Sequence, residues 1–184
     1  MGRAHRAKLA LLLRRQSRRR EAAEVEFREL AQAMPQIVFI ADAQGGAQFF
    51  NQRWTEVTGL SMEDGLGVRW LDQVHPEDRA TVLQGSAELV LRPREGQSEV
   101  RLRTRDGSYR WQLMRAVPAR RPRRGGLAWY GTATDIHGLK QAQEEVRRLN
   151  DTLALQVAER TGELARQEAL FRTLAQQAPL PFWT

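Results

Sequence analysis

Residues 99–111 read EVRLRTRDGSYRW, and this stretch decides the fold. Glu99 to Arg105 alternates at the period of a half-buried β-strand, and Asp106-Gly107 is a favoured hairpin turn. Tyr109 to Val117 then supplies the return strand, with Trp111 and Leu113 on one face. Downstream, a basic loop (Arg120-Arg121-Pro122-Arg123-Arg124-Gly125-Gly126) leads into a further strand from Leu127 to Ile136. Upstream, Ile37-Val38-Phe39-Ile40-Ala41 and Ala47-Gln48-Phe49-Phe50 flank Asp42-Ala43-Gln44-Gly45-Gly46, which predicts two strands joined by an Asp/Gly turn.

Between these two groups of strands the pattern is helical. Asn51 is placed to cap a helix carrying Trp54, Val57 and Leu60, and Gly59 frays its end. Helical pieces broken by Gly65 and Gly67 are expected through Val74. His75-Pro76-Glu77-Asp78-Arg79 is the strongest helix start in the chain. His75 precedes a proline, Pro76 suits the first helical position, and the two acids favour the positive end of the helix dipole. A helix is also expected before the first strand, where Ala23, Phe27, Leu30, Ala31 and Met34 share a face and Pro35 stops it. The order is two strands, short helices, then three antiparallel strands, an α+β arrangement.

From Leu139 no proline interrupts the helical pattern until Pro179. Leu139, Ala142, Val146, Leu149, Leu153, Val157, Thr161 and Leu164 step by threes and fours, a heptad seam with a four-residue stutter near Leu153. The spacing predicts a two-stranded coiled coil, and a single amphipathic helix packing on its own domain would give the same pattern.

Residues 1–20 hold Arg3, Arg6, Lys8, Arg14, Arg15, Arg18, Arg19 and Arg20 and no acid, leaving 21 bases against 22 acids in the rest. The net charge of +7 therefore describes a basic arm on a nearly neutral body. The chain has no Cys, which excludes disulfides, thiolate metal sites and a cysteine nucleophile. His5, His75 and His137 are far apart in sequence and have no partners at ligand spacing, so no metal is expected. No glycine loop is followed by the Lys-Ser/Thr of a phosphate cradle, and no catalytic constellation is present. The apolar run Leu9 to Leu13 is too short to span a bilayer, so no membrane span is expected.

WTEVTGLS, WLDQVHPEDR, VRLRTRDGSYRW and GTATDIHGLK, in that order over Phe27 to Leu149, resemble a PAS domain with its C-terminal PAC segment. The resemblance implies a five-stranded antiparallel sheet with flanking short helices, an N-terminal helix and a long C-terminal coiled-coil helix. The helix LNDTLALQVAERTGEL is similar to linkers of bacterial sensor histidine kinases. FRTLAQQAPLPFWT (171–184) repeats FRELAQAMPQIVFI (27–40) in register, with Trp183 at the place of Phe39, and resembles the start of a second such domain. The expected organisation is a basic arm at 1–26, the PAS domain at 27–137, a signalling helix at 138–170 and a truncated second domain at 171–184.

The family implies a sensory and dimerisation module: a homodimer through its helices, passing a signal to a kinase or other output domain in a longer parent chain in the cytoplasm. The module itself is not expected to be an enzyme. The alternative is a regulator that contacts nucleic acid or anionic surfaces through the basic arm, with Arg120 to Arg124 assisting. No nucleic acid is expected on the leading reading. A cavity between sheet and helices would take a small organic ligand, though no cofactor is expected. Haem is disfavoured because His75 precedes the long helix, and a cysteinyl-flavin adduct needs a Cys. Phe39, Trp54, Trp70, Trp111 and Trp129 either line such a cavity or fill it. Asp135, Ile136 and His137 stand where the family hands its last strand to the signalling helix, with His137 in place of Thr. Here the Asp135 carboxylate can accept backbone N–H groups of that helix or pair with an arginine. Val146, Leu149, Leu153, Val157 and Leu164 form the coiled-coil seam.

Overall fold

The computed structural model describes residues 17–18, 22–120 and 126–177. Most of the basic arm, loop residues 121–125 and residues 178–184, including Trp183, lie outside the described residues. The chain divides into two compact units, Met1–His137 and Gly138–Thr184.

In the first unit, helix α1 (22–33) stops just before Pro35 and the chain enters β1 (Ile37–Ala41). The turn to β2 (Ala47–Phe50) is closed by Asp42, whose Oδ1 accepts the N–H groups of Gln44 (3.0 Å) and Gly46 (2.8 Å), while Gly45 takes φ +85°. Helices α2 (Gln52–Thr58) and α3 (Met62–Gly65), a 3₁₀ turn (Arg69–Gln73) and α4 (Pro76–Leu91) follow. The chain returns through β3 (Gly96–Arg103), β4 (Tyr109–Arg120) and β5 (Leu127–Asp135). The five strands lie in the order β2-β1-β5-β4-β3, and every adjacent pair is antiparallel. The α+β architecture expected from the sequence is the one observed.

Register sets which residues face inward. Pairings of Ile37 with Ala133, Phe39 with Gly131, Ala133 with Met114 and Gln112 with Val100 put these side chains on one face of the sheet. That face meets Trp54 of α2 and Val82 of α4 in a common core. Trp54 is 2% exposed, stacks on Phe50 at 4.3 Å and donates its indole N–H to the Ser61 carbonyl at 3.1 Å. Each such buried side chain contributes about 1.5–3 kcal/mol.

Asn51 departs from expectation. It precedes α2, yet its side chain makes no capping hydrogen bond there. Its Oδ1 instead accepts the Val38 N–H (3.0 Å), and its Nδ2 donates to the carbonyls of Ala31 (2.7 Å) and Gln36 (3.0 Å). Asn51 is 1% exposed, and this buried amide joins the end of α1, β1 and the start of α2. Gly59 caps α2 in the left-handed region (φ 77°), its N–H bonded to the Thr55 carbonyl.

The second unit is the continuation of helix α5 (His137–Gln177), which runs through residue 171 without a break. Among the described residues, no helix is long and apolar enough to cross a membrane.

Candidate functional site

Two adjoining chambers lie on the inner face of the sheet. The outer one, 330 Å³, is walled by α4 (Thr81, Val82, Gly85, Leu89) and by Phe39, Met114 and Trp129 of the sheet. The inner one, 40 Å³, is bounded by Phe50, Trp54, Val100, Leu102 and Gln112. Phe39, Ala41, Gly45, Trp70 and Met114 border both.

Two glycines shape this space. A Cβ on Gly131 would run into the Phe39 ring and the Arg115 carbonyl oxygen, so glycine there lets Phe39 lie against the sheet. At Gly96, a Cβ would stand 2.5 Å from Leu89 Cδ1, which fixes how closely the end of α4 approaches β3.

Of the five aromatics proposed from sequence, Trp54 borders the inner chamber, Trp129 the outer, and Phe39 and Trp70 both. Trp111 does not. It neighbours the buried Gln112 along β4 and so points to the opposite face, where the Arg101 guanidinium lies 5.2 Å from its ring centroid. Apolar character suggested that Trp111 and Leu113 face the core, but pairing with Val100 turns Gln112 inward instead. Gln112 is therefore one of the cavity residues that sequence reasoning missed, along with Phe50, Val82, Leu89 and Met114. The signal was available, because the Asp106-Gly107 turn sets the hairpin register that places residue 112 opposite residue 100.

The electrostatics concentrate at two places outside the chambers. At the start of α4, His75 Nδ1 accepts the Glu77 N–H (3.3 Å), and the imidazole packs edge-on against Tyr109 at 4.5 Å. One turn on, Asp78 Oδ2 accepts the Arg101 backbone N–H (2.8 Å) and Nε (3.0 Å), and Oδ1 accepts Nη2 (2.6 Å). These bonds hold the Asp78 carboxyl below its usual range and pin α4 to edge strand β3.

The second place is the end of β5. Asp135 Oδ2 accepts Arg110 Nε at 2.8 Å, and Oδ1 accepts the His137 N–H at 2.9 Å. The Ile136 N–H donates to the Trp111 carbonyl at 2.9 Å. Burial works to raise the Asp135 carboxyl, but the bonds from Arg110 and His137 outweigh it and lower it. His137 Nδ1 is buried and has no hydrogen-bond partner among the described residues. Further along α5, Val146, Leu149, Leu153, Val157 and Leu164 are 49–64% exposed. Among the described residues there is no cluster of side chains able to hold a metal ion.

The family described as the PAS fold matches residues 48–133. The chain contains a PAS domain. The peroxide stress-activated histidine kinase mak1 of Schizosaccharomyces pombe is 35% identical over 138 residues, covering 70% of this chain and 8% of the kinase. The chain thus spans a small fraction of the curated relatives it matches, 8% and 15% of their lengths. Among solved structures, the PAS domain of an HTR-like protein from Haloarcula marismortui aligns with TM-score 0.52 at 21% identity, covering 67% of this chain and 99% of that one. A sensory box histidine kinase/response regulator from Burkholderia thailandensis aligns with TM-score 0.51 at 20% identity, covering 64% and 89%. At these identities the structures establish the PAS fold alone.

Proposed function

We propose that this chain is the sensory and dimerisation module of a multi-domain signal-transduction protein, a cytoplasmic two-component sensor histidine kinase. The PAS domain receives the stimulus and α5 carries it to an output domain elsewhere in the parent. The observation that carries the reading is the Asp135 bridge. One carboxylate binds Arg110 of β4 and the first N–H of α5, so a shift of the sheet moves the root of the helix. Similarity to a histidine kinase supports the choice of output.

Two copies of α5 pair through Val146, Leu149, Leu153, Val157 and Leu164, whose exposure in a single chain supports a seam awaiting a partner. The four-residue step near Leu153 gives the pair a second packing of similar energy, and the polar Gln156 and Arg160 nearby keep it weak enough to move. This stretch has no native Cys to compete with an introduced one. With Leu149→Cys or Val157→Cys, oxidation should link two copies in the parent kinase, and the yield should change with signalling state. Adding Asp135→Ala should leave the crosslink but abolish that change. Crosslinking that never responds to signalling state would sink the relay.

A further inference from the structure

Glu168, Phe171, Arg172, Leu174, Ala175 and Gln176 of α5 repeat Glu24, Phe27, Arg28, Leu30, Ala31 and Gln32 of α1 in register. The local features of the repeat are alike in both helices. Arg28 pairs with Glu24 at 3.0 Å and Arg172 with Glu168 at 3.2 Å, and Leu30 and Leu174 are 60% and 57% exposed. The phenylalanines differ: Phe27 is 38% exposed, Phe171 77%.

The difference comes from the seat that α1 occupies. The Phe27 ring lies 6.1 Å from that of Phe49 in β2, the Ala31 carbonyl accepts Asn51 Nδ2 at 2.7 Å, and Gln32 Oε1 accepts the Gln52 N–H at 2.6 Å. All three residues recur in α5, as Phe171, Ala175 and Gln176. The seat holds α1 lightly, since Ala31 alone is buried among residues 22–33. Each of the three contacts contributes about 0.5–1.5 kcal/mol. The covalent tether, equivalent to an effective concentration of about 1 mM, therefore does much to keep α1 in place. Asn51 also bonds to Val38 and Gln36, which lie beyond the helix, so those bonds survive if another helix supplies the carbonyl that Ala31 now supplies.

We propose that the last turns of α5 of one copy take the α1 seat of a second copy, with Phe171 on Phe49, the Ala175 carbonyl on the Asn51 amide and the Gln176 side chain on the Gln52 N–H. The segment that fits is specified by position: an aromatic ring, a carbonyl four residues on and an amide at the next residue, the set with which α1 already holds the seat. The contact is head to tail, so it joins copies through a heterologous interface. It uses none of Val146, Leu149, Leu153, Val157 and Leu164, and so it stands apart from pairing along the seam.

The test mixes isotope-labelled chain of 184 residues with unlabelled chain carrying a nitroxide at Gln177→Cys, the counterpart of the exposed Ala33, so that NMR reads contacts between copies only. The backbone amide signals of Phe49 and Gln52 and the side-chain amide of Asn51 should broaden in the labelled copy, increasingly as the concentration approaches about 1 mM. Phe27→Ala in the labelled copy loosens its own α1 and should tighten seating about tenfold, whereas Phe171→Ala in the nitroxide copy should weaken it about tenfold. Leu174→Ala, whose counterpart Leu30 is exposed, should change nothing. No broadening at this seat, seating that Phe27→Ala lowers or leaves unchanged, or a loss with Leu174→Ala as large as that with Phe171→Ala would each overturn the proposal. Broadening seen in this chain but lost in the parent kinase would overturn it too, by showing that another part of the parent occupies Phe171.

Discussion

Val100 of β3 is 1% exposed and Val146 of α5 is 57% exposed. Around Val100, Leu102, Ile37, Phe50 and Trp54 are also buried, while Leu149, Leu153, Val157 and Leu164 follow Val146 into solvent. The same kind of apolar residue meets opposite fates in the two units. Backbone hydrogen bonding does not explain the contrast, since β3 is bonded along its length to β4 and α5 is bonded within itself. The sheet closes over its apolar side with α2 and α4, whereas a lone helix has only a stripe, and a stripe needs a second surface. The PAS core therefore buries its own apolar face, whereas the apolar stripe of α5 stays exposed in a single chain.

This contrast can be broken or sharpened experimentally. The largest effect should come from Trp54→Ala, which removes a stacked, fully buried ring and its bond to Ser61. It should cost about 3–5 kcal/mol in denaturant unfolding followed by tryptophan fluorescence. A smaller loss would mean the core is looser than its burial implies. Next, Asp78→Ala removes three charge-assisted bonds between α4 and β3 and should cost about 2 kcal/mol in the same measurement.

Asp135 should matter less, because its side chain is 43% exposed and solvent screens its pairing. The folded-state carboxyl is lowered, so its stabilisation is complete above the unfolded value of about 4 and fades as pH falls through the lower folded one. The difference between the unaltered chain and Asp135→Asn should thus be flat above about pH 5, at a few tenths of a kcal/mol, and shrink in more acid solution. A difference that grows on acidification would reverse the assignment. Smallest of all, Leu149→Lys with Leu153→Lys should leave core unfolding within about 0.5 kcal/mol. The same double change should halve the mass measured by light scattering, from dimer to monomer. Core destabilisation by this pair would show that α5 is not an independent unit.

Much of this was legible in the chain, because it depends on neighbours in sequence. The Asp42 and Asp106 turns, the proline start of α4 and the strand alternation are local, and each gives the expected element. The kinds of bond that Asp135 makes, to a helix N–H and to an arginine, were legible, but the arginine was not, since Arg110 is brought to it only when β4 lies beside β5. Asp78 read as a dipole-favouring residue at a helix start, and its pairing with Arg101 depends on where β3 comes to rest.

Period and composition determined the elements, their order and the exposed stripe of α5, since these follow from repeats of two and of three to four residues. The Asp106-Gly107 turn pairs residue 112 with residue 100, and only packing against α2 and α4 made that face the inside. Register turned the polar Gln112 inward and the apolar Trp111 outward, against their own preferences, because a side chain's face is set by its partner across the sheet. In the same way, Asn51 gave up a local cap for three long-range bonds, a choice that exists only once α1, β1 and α2 have met.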